Sequence, residues 1–186
     1  MTLPFSVQSL IRPLGCTAIV GQRSVVQLSG WLMAQVLMIE PEAQVMCVDG
    51  ANKFDPLTLA RLSRAAGVVP QTWLRQVLVS RTYSGEQLIS TLVNRAVPQV
   101  RQAAPNLLVG LGWLEALYDE DVSEEKARQW LEALVQSIQA LKQSTHVVLF
   151  ESAFLEVSGP RSNFIHSVLA QVDSVLNWTP DGRLYG

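Results

Sequence analysis

The fold is decided by residues 45–92, which read VMCVDGANKFDPLTLARLSRAAGVVPQTWLRQVLVSRTYSGEQLISTL. The apolar run at residues 44–49 predicts a strand of the buried type, closed by an Asp-Gly turn. Residues 56–67 predict a helix, because leucines and alanines recur along one side. A strand at residues 77–80 and a helix at residues 85–97 follow. This alternation is typical of a mainly parallel sheet that helices cover on both faces.

The same alternation extends outward from this stretch in both directions. Further strands are predicted at residues 17–20, 106–109, 147–150 and 172–178, further helices at residues 24–39, 121–143 and 162–171, and a turn with an edge strand at residues 180–185. No internal repeat or low-complexity linker divides the sequence. We therefore predict one α/β domain over residues 1–186, a three-layer sandwich around a mainly parallel central sheet.

Composition limits the classes of function. Hydrophobic residues make up 48% of the 186 positions and charged residues 16%, whereas ordinary globular chains have about a quarter charged. The net charge of −2 gives no basic field for nucleic acid or acidic lipid. Cys16 and Cys47 are too few for a metal framework. Because no signal peptide and no apolar run of membrane-spanning length is present, we expect a cytoplasmic protein without metal or membrane association.

The strand ends are the first places to search for a site. In open α/β sheets, ligands bind beyond the carboxyl ends of the strands. The residues at these ends are Gly21, Asp49, Ser80, Gly110 and Glu151. Asp49 and Glu151 are therefore the polar candidates at the sheet edge. For Asp49, the alternative is a purely local role as the turn-forming residue before a glycine.

Residues 45–92 resemble the core of the RecA/RadA-type recombinases. In archaeal and eukaryotic-type members, an apolar strand ends in an Asp, a short turn carries the catalytic Glu, and an aromatic residue and a helix follow. Asp49, Phe54, Arg61 and the strand with its arginine at residues 77–81 fit this template. The resemblance implies a RecA-like P-loop NTPase fold, with a phosphate-binding loop after the first strand.

The expected phosphate-binding loop departs from this template. Such a loop needs glycine for close backbone approach, lysine for the β- and γ-phosphates, and Ser or Thr for magnesium. Counting from Gly21, these three places hold Val26, Gln27 and Leu28, and no lysine precedes Lys53. If a nucleotide or anion still binds here, the residues would be Gly21, Gln22, Arg23 and Ser24. Arg23 would then replace the lysine; the alternative is an ordinary surface arginine.

Three further places of the template are also changed. Ala51 stands where the family has the Glu that activates water, and Gly110 where it has an Asp that helps to hold magnesium. Glu151 stands where it has an amide that senses the γ-phosphate, and an ionised carboxylate cannot donate a hydrogen bond. Phosphoryl transfer depends on positioning and electrostatic stabilisation. The resemblance therefore implies a pseudoenzyme that hydrolyses no ATP and needs no cofactor.

Four side chains are candidates for contact with a partner. Trp73, Trp113 and Trp130 lie near predicted loop or helix surfaces, and aromatic residues are enriched at interface hot spots. Arg81 belongs to a cluster of arginines in residues 61–81 that could form a basic face for an acidic partner; the alternative is a solvated face. Core packing is the alternative for the tryptophans. Contact with nucleic acid is doubtful, because residues 113–125 carry six acidic and no basic side chains.

Three hypotheses of function follow. The leading one is a non-catalytic RecA-like module that binds a recombination or repair protein, or a second copy of itself. The second is a DNA-repair accessory that contacts nucleic acid through its arginines. The third is a ligand-binding or hydrolytic protein that uses a crevice around Asp49 and Glu151.

Overall fold

The structure is a computed structural model, and it describes residues 14–152, 159–179 and 184–185. Its strands form one sheet in the spatial order β3-β2-β4-β5-β1-β6-β7. The bounds are β1 Gly15–Gly21, β2 Val45–Asp49, β3 Val77–Arg81, β4 Leu107–Leu111, β5 His146–Ser152, β6 Ser174–Trp178 and β7 Leu184–Tyr185. The strands β1 to β6 are parallel, and the short β7 pairs antiparallel with β6.

Helices connect the strands and cover both faces of the sheet. Their bounds are α1 Leu28–Ile39, α2 Pro56–Ala65, α3 Pro70–Gln76, α4 Gly85–Thr91, α5 Val97–Ala103, α6 Glu124–Leu141 and α7 Phe164–Leu169. Two 3-10 turns, Arg23–Gln27 and Glu115–Tyr118, follow β1 and β4. Among the described residues, no helix combines the length and the apolar character needed to cross a membrane.

Two separate apolar cores lie on either side of the sheet. The first contains buried side chains of α1 to α3, with Val45 and Cys47 of β2. The second contains buried side chains of α4 to α7, with Met46 and Val48. Adjacent strand residues point to opposite faces, so a strand buried on both sides is mainly apolar. The predicted α/β three-layer sandwich with a mainly parallel sheet is thus confirmed.

Several element boundaries differ from the sequence prediction. β4 continues through Gly110 to Leu111, because Leu111 pairs with Asp49 and with Phe150. The helix predicted at residues 24–39 begins as a 3-10 turn. The predicted cap of α6 at Asp121 is wrong: Ser123 accepts a hydrogen bond from the Lys126 backbone N–H at 3.3 Å, and the helix starts at Glu124. The turn predicted at residues 180–183 lies outside the described residues.

The helix predicted at residues 85–97 does not end at Pro98. α4 passes through a single π-helical turn, Leu92–Ala96, and continues as α5. A proline inside a helix has no N–H to donate, and its ring collides with the carbonyl of the residue four positions earlier. A π turn just before Pro98 widens the backbone there and lets the helix continue.

Gly85 at the start of α4 makes room for an aromatic ring. A Cβ at this position would overlap the six-membered ring of Trp130, whose residue is only 9% exposed. We expect Gly85→Ala to lower the free energy of unfolding by about 2 kcal/mol, because overpacking costs about 1–3 kcal/mol. Urea unfolding followed by circular dichroism measures this, with the neighbouring exposed Glu86→Ala as the control. Equal stability of the two variants would show that the Trp130 ring moves freely.

Candidate functional site

The carboxyl ends of five strands meet at one edge of the sheet. The register pairs Asp49 with Leu111 and Leu111 with Phe150, and it pairs Glu151 with Val20. The residues that the sequence analysis singled out at strand ends therefore lie along a single edge. Their side chains have different structural roles at this edge, which are described in turn below.

The turn that follows β1 is packed shut. Val25 and Val26 are buried in the first core, at 0% and 1% exposure. The backbone N–H of Val25 donates to Gln22 O at 2.8 Å, so it is engaged within the turn. A phosphate nest needs outward N–H groups and room beside the backbone. The backbone of residues 23–24 belongs to this turn, while the side chains of Arg23 and Ser24 lie outside what the structure describes.

Gly21 serves strand packing. A Cβ at Gly21 would stand 2.7 Å from the carbonyl oxygen of Trp178 and 2.8 Å from its Cβ. The glycine thus lets the end of β6 approach β1 closely. Its missing side chain makes room for protein atoms, where a phosphate-binding glycine would make room for the ligand.

Asp49 organises the loop after β2. Its Oδ1 accepts the Lys53 N–H at 3.0 Å, and its Oδ2 accepts the Phe54 N–H at 2.8 Å. Arg81 supports the same loop: its Nη2 donates to Phe54 O at 2.6 Å, and its Nε lies 3.6 Å from Asp49 Oδ2. Both carboxylate oxygens are therefore engaged, which supports the turn-forming role of Asp49. Arg81 is exposed at the same time, so its role as an interface residue stays a prediction, while its guanidinium braces this loop.

Glu151 performs a similar task on the loop after β4. Its side chain is buried, and its two oxygens accept the N–H groups of Trp113 at 2.9 Å and of Leu114 at 3.2 Å. Burial raises the pKa of Glu151 to about 8, although the two N–H bonds act in the opposite direction. The carboxyl group is thus a buried acceptor that fixes the loop.

Asp49 and Glu151 do not face a common crevice. In β5, Val148 and Phe150 belong to the first core, whereas Leu149 belongs to the second. Strand alternation places Glu151 with Leu149 on the second face. Asp49 follows Val48 of the second core and bonds the loop on the first face. The two carboxylates therefore act on opposite faces of the sheet.

The three tryptophans proposed as interface residues are core residues. Trp73, Trp113 and Trp130 are 2%, 0% and 9% exposed, respectively. The expectation that they anchor a partner is wrong, because a side chain already covered by its own fold offers no surface. The Trp113 ring fills the space beside Gly110, where an added Cβ would lie 2.7 Å from Cε2, and its Nε1 donates to Val48 O at 2.9 Å.

Two cavities open at this edge of the sheet. The first measures about 550 Å³ and lies between the start of α1 and the start of α2, with Gln27, Trp31, Phe54 and Arg61 in its wall. The second measures about 640 Å³. We call it the β2 cavity; its wall consists of residues 50–53, residues 82–85, Glu115, Ala116, Tyr118, Asp119 and Ser152.

The β2 cavity contains a polar network that the sequence analysis did not anticipate. Lys53 Nζ and Ser152 Oγ both lie against Glu115 Oε1, at 2.5 and 3.1 Å. Lys53 and Glu115 are separated by 62 positions in the chain. One rule could have predicted that these residues lie together: the loops that follow parallel strands converge at one edge of the sheet.

Comparison with known proteins adds no relative. No family model matches the chain, and no curated protein matches it.

Proposed function

We propose that the chain is a non-catalytic RecA-like module that acts by binding another protein. The observation that carries the proposal is the packed turn after β1. Where the resemblance requires an open phosphate-binding loop, Val25 and Val26 enter the apolar core. A triphosphate would meet no lysine in this loop, and the Val25 N–H is already engaged within the turn.

The neighbouring strand ends also favour a role without hydrolysis. The position of the expected magnesium ligand is Gly110, and the Trp113 ring occupies the space beside it. The position of the γ-phosphate sensor is Glu151, whose two oxygens already accept backbone N–H groups. Protein atoms thus take the places that a nucleotide and its metal would need.

Binding of a protein partner is favoured over binding of nucleic acid. Arg161 donates to the carbonyl oxygens of Leu117, Asp119 and Val122, so it stabilises the acidic loop after β4. A phosphate backbone would meet carboxylates here. Exposed apolar side chains elsewhere, including Leu57 at 72% and Leu78 at 52%, are groups that a protein partner would cover.

The absence of nucleotide binding gives a direct test. A ligand at about a hundred times its dissociation constant adds about 2.7 kcal/mol to the free energy of unfolding. We expect millimolar ATP with magnesium to leave the melting temperature unchanged, with magnesium alone as the control. A melting temperature that rises with ATP concentration would contradict the packed turn.

The binding part of the proposal has its own measurement. We expect either a self-association constant from analytical ultracentrifugation or saturable binding to a recombinase by surface plasmon resonance. The second candidate function, a DNA accessory, predicts instead a gel shift that strengthens at low salt. A strictly monomeric protein that binds no recombinase would contradict the proposal.

A further inference from the structure

The first cavity lies where the starts of two helices meet the loop after β2. Gly30 of α1 and Thr58 of α2 both line it, and a Cβ at Gly30 would stand 3.1 Å from Thr58 Cγ2. The two helix starts therefore touch at one side of the cavity. Its volume of about 550 Å³ is that of an ordinary small-molecule site.

Part of the cavity wall is aromatic. Phe54 is buried and firmly held, because its N–H donates to Asp49 and its carbonyl oxygen accepts from Arg81. Within residues 28–34 of α1, all of which the structure describes, Trp31 alone is not fully buried. A half-buried indole in a cavity wall offers a face on which the aromatic ring of a ligand can stack.

Several polar groups of the wall are already satisfied by the fold. Ser29 Oγ donates to Val26 O at 2.7 Å. Thr58 Oγ1 donates to Asp55 Oδ2 at 2.5 Å, and Asp55 also accepts the N–H groups of Leu57 and Thr58 at 2.9 and 3.2 Å. The Thr58 hydroxyl is the largest cause that lowers the pKa of Asp55. Asp55 is therefore an ionised cap whose oxygens serve the start of α2.

Arg61 is the charged group of the wall that keeps free donors. Lys53 is paired with Glu115 at 2.5 Å, whereas Arg61 forms no ion pair in the part of the chain that the structure describes. Its Nη2 donates to Thr58 Oγ1 at 2.8 Å, and its other N–H groups bond no described residue. With Glu115 and Asp55 counted, two carboxylates balance two cations. The net charge therefore selects no ligand, but the free guanidinium donors select an acceptor.

We infer that the first cavity binds an aromatic carboxylate. A carboxylate matches the guanidinium fork of Arg61, and the exposed amide of Gln27, which bonds no described residue, offers a further donor beside it. The ring of the ligand stacks on Trp31 next to Phe54. The inference does not rest on the proposed function, because it requires neither a protein partner nor the absence of nucleotide binding. The same group occurs on free aromatic acids and at the C-terminus of a protein that ends in an aromatic residue.

Calorimetric titration tests the inference with two probes, 3-phenylpropionate and a peptide of three glycines with a C-terminal phenylalanine. Their amides, which lack the carboxylate, are the matched controls. We expect saturable binding of at least one acid at a dissociation constant below about 1 mM, and at least about tenfold weaker binding of its amide. Tighter binding of phenylpropionate would assign the site to a free acid, and tighter peptide binding to the C-terminus of a partner. Absence of saturable binding by either acid up to about 10 mM, or equal affinity for acid and amide, would overturn the inference.

Variants of the wall separate the ligand contacts from the fold. Arg61→Gln removes an exposed guanidinium that bonds only Thr58, so we expect an unchanged melting temperature and about tenfold weaker binding of the acid. The control is Arg64→Gln, an exposed arginine on α2 outside the cavity wall, which should bind normally. Trp31→Leu keeps an apolar side chain and removes the stacking face, and it should weaken binding about threefold or more. Wild-type affinity in Arg61→Gln, or an equal loss in Arg64→Gln, would overturn the inference.

Discussion

Replacing Glu151 by alanine is expected to lower the free energy of unfolding by about 3 kcal/mol at neutral pH. The change leaves the N–H groups of Trp113 and Leu114 buried without an acceptor, and each unpaired donor costs about 1–3 kcal/mol. Urea unfolding monitored by circular dichroism measures the loss. Glu125→Ala is the control, because that side chain lies on the exposed first turn of α6.

The pH dependence of Glu151→Gln tests the same group more closely. Burial raises the pKa of Glu151 from its ordinary value of 4.5 to about 8 in the folded protein. The folded state then binds more protons than the unfolded state between these values, so the stabilisation is complete at low pH and is lost as the pH rises towards 8. Relative to the glutamine variant, the wild type should lose stability on the order of a few kcal/mol between about pH 5 and pH 8. A constant difference across this range would show that Glu151 does not titrate there.

Trp113→Ala is expected to produce the largest loss of stability, about 4 kcal/mol. The indole is fully buried, fills the space beside Gly110 and donates Nε1–H to Val48 O. Its removal leaves a cavity in the second core, and truncation of a buried tryptophan costs about 3–5 kcal/mol. Urea unfolding by circular dichroism is the measurement.

Trp31→Ala provides the matched comparison. Trp31 is half-buried in the wall of the first cavity, so its truncation should cost about 1–2 kcal/mol. A loss at Trp113 no larger than the loss at Trp31 would contradict the core role of the Trp113 ring.

The layers of the fold could be predicted because the pattern is local. The centres of the buried strands are apolar runs, as at residues 45–48 and 147–150, and α6 repeats its apolar residues at helical spacing. The predicted end of β4 was two residues too early, since Leu111 is held in the sheet by Asp49 and Phe150, from strands that are distant in the sequence. The residues around a strand end do not show which strands from elsewhere in the chain will pair with it.

The tryptophans were misjudged for a related reason. A tryptophan in a loop looks exposed when only its neighbours are considered. Trp113 and Trp130 are buried because Gly110 and Gly85 leave space for their rings. A glycine that faces an indole across the core is a signal, but it can be recognised only after the elements are arranged in space.

Part of the candidate site could likewise be predicted from the sequence, and part could not. The departures from a phosphate-binding loop could be recognised only through the resemblance, and the structure adds that Val25 and Val26 pack into the first core. The β2 cavity was not anticipated, because Lys53, Thr82 and Glu115 follow three different strands and only the convergence of their loops would have grouped them. Only the parallel arrangement of these strands brings the three side chains to one wall.

The interior position of β1 governs how the chain can fold during synthesis. β1 pairs with β5 and β6. Gly21 therefore cannot make its sheet contacts until Ser152 and Trp178 have been synthesised. At ribosomal speeds of about 5–20 residues per second, more than a hundred intervening residues take on the order of ten seconds to emerge. During that interval a mainly apolar strand has no native partner. We expect chaperone dependence in vivo and slow refolding in vitro. Parallel pairing between strands that are distant in sequence requires long loops to close before the stabilising contacts form.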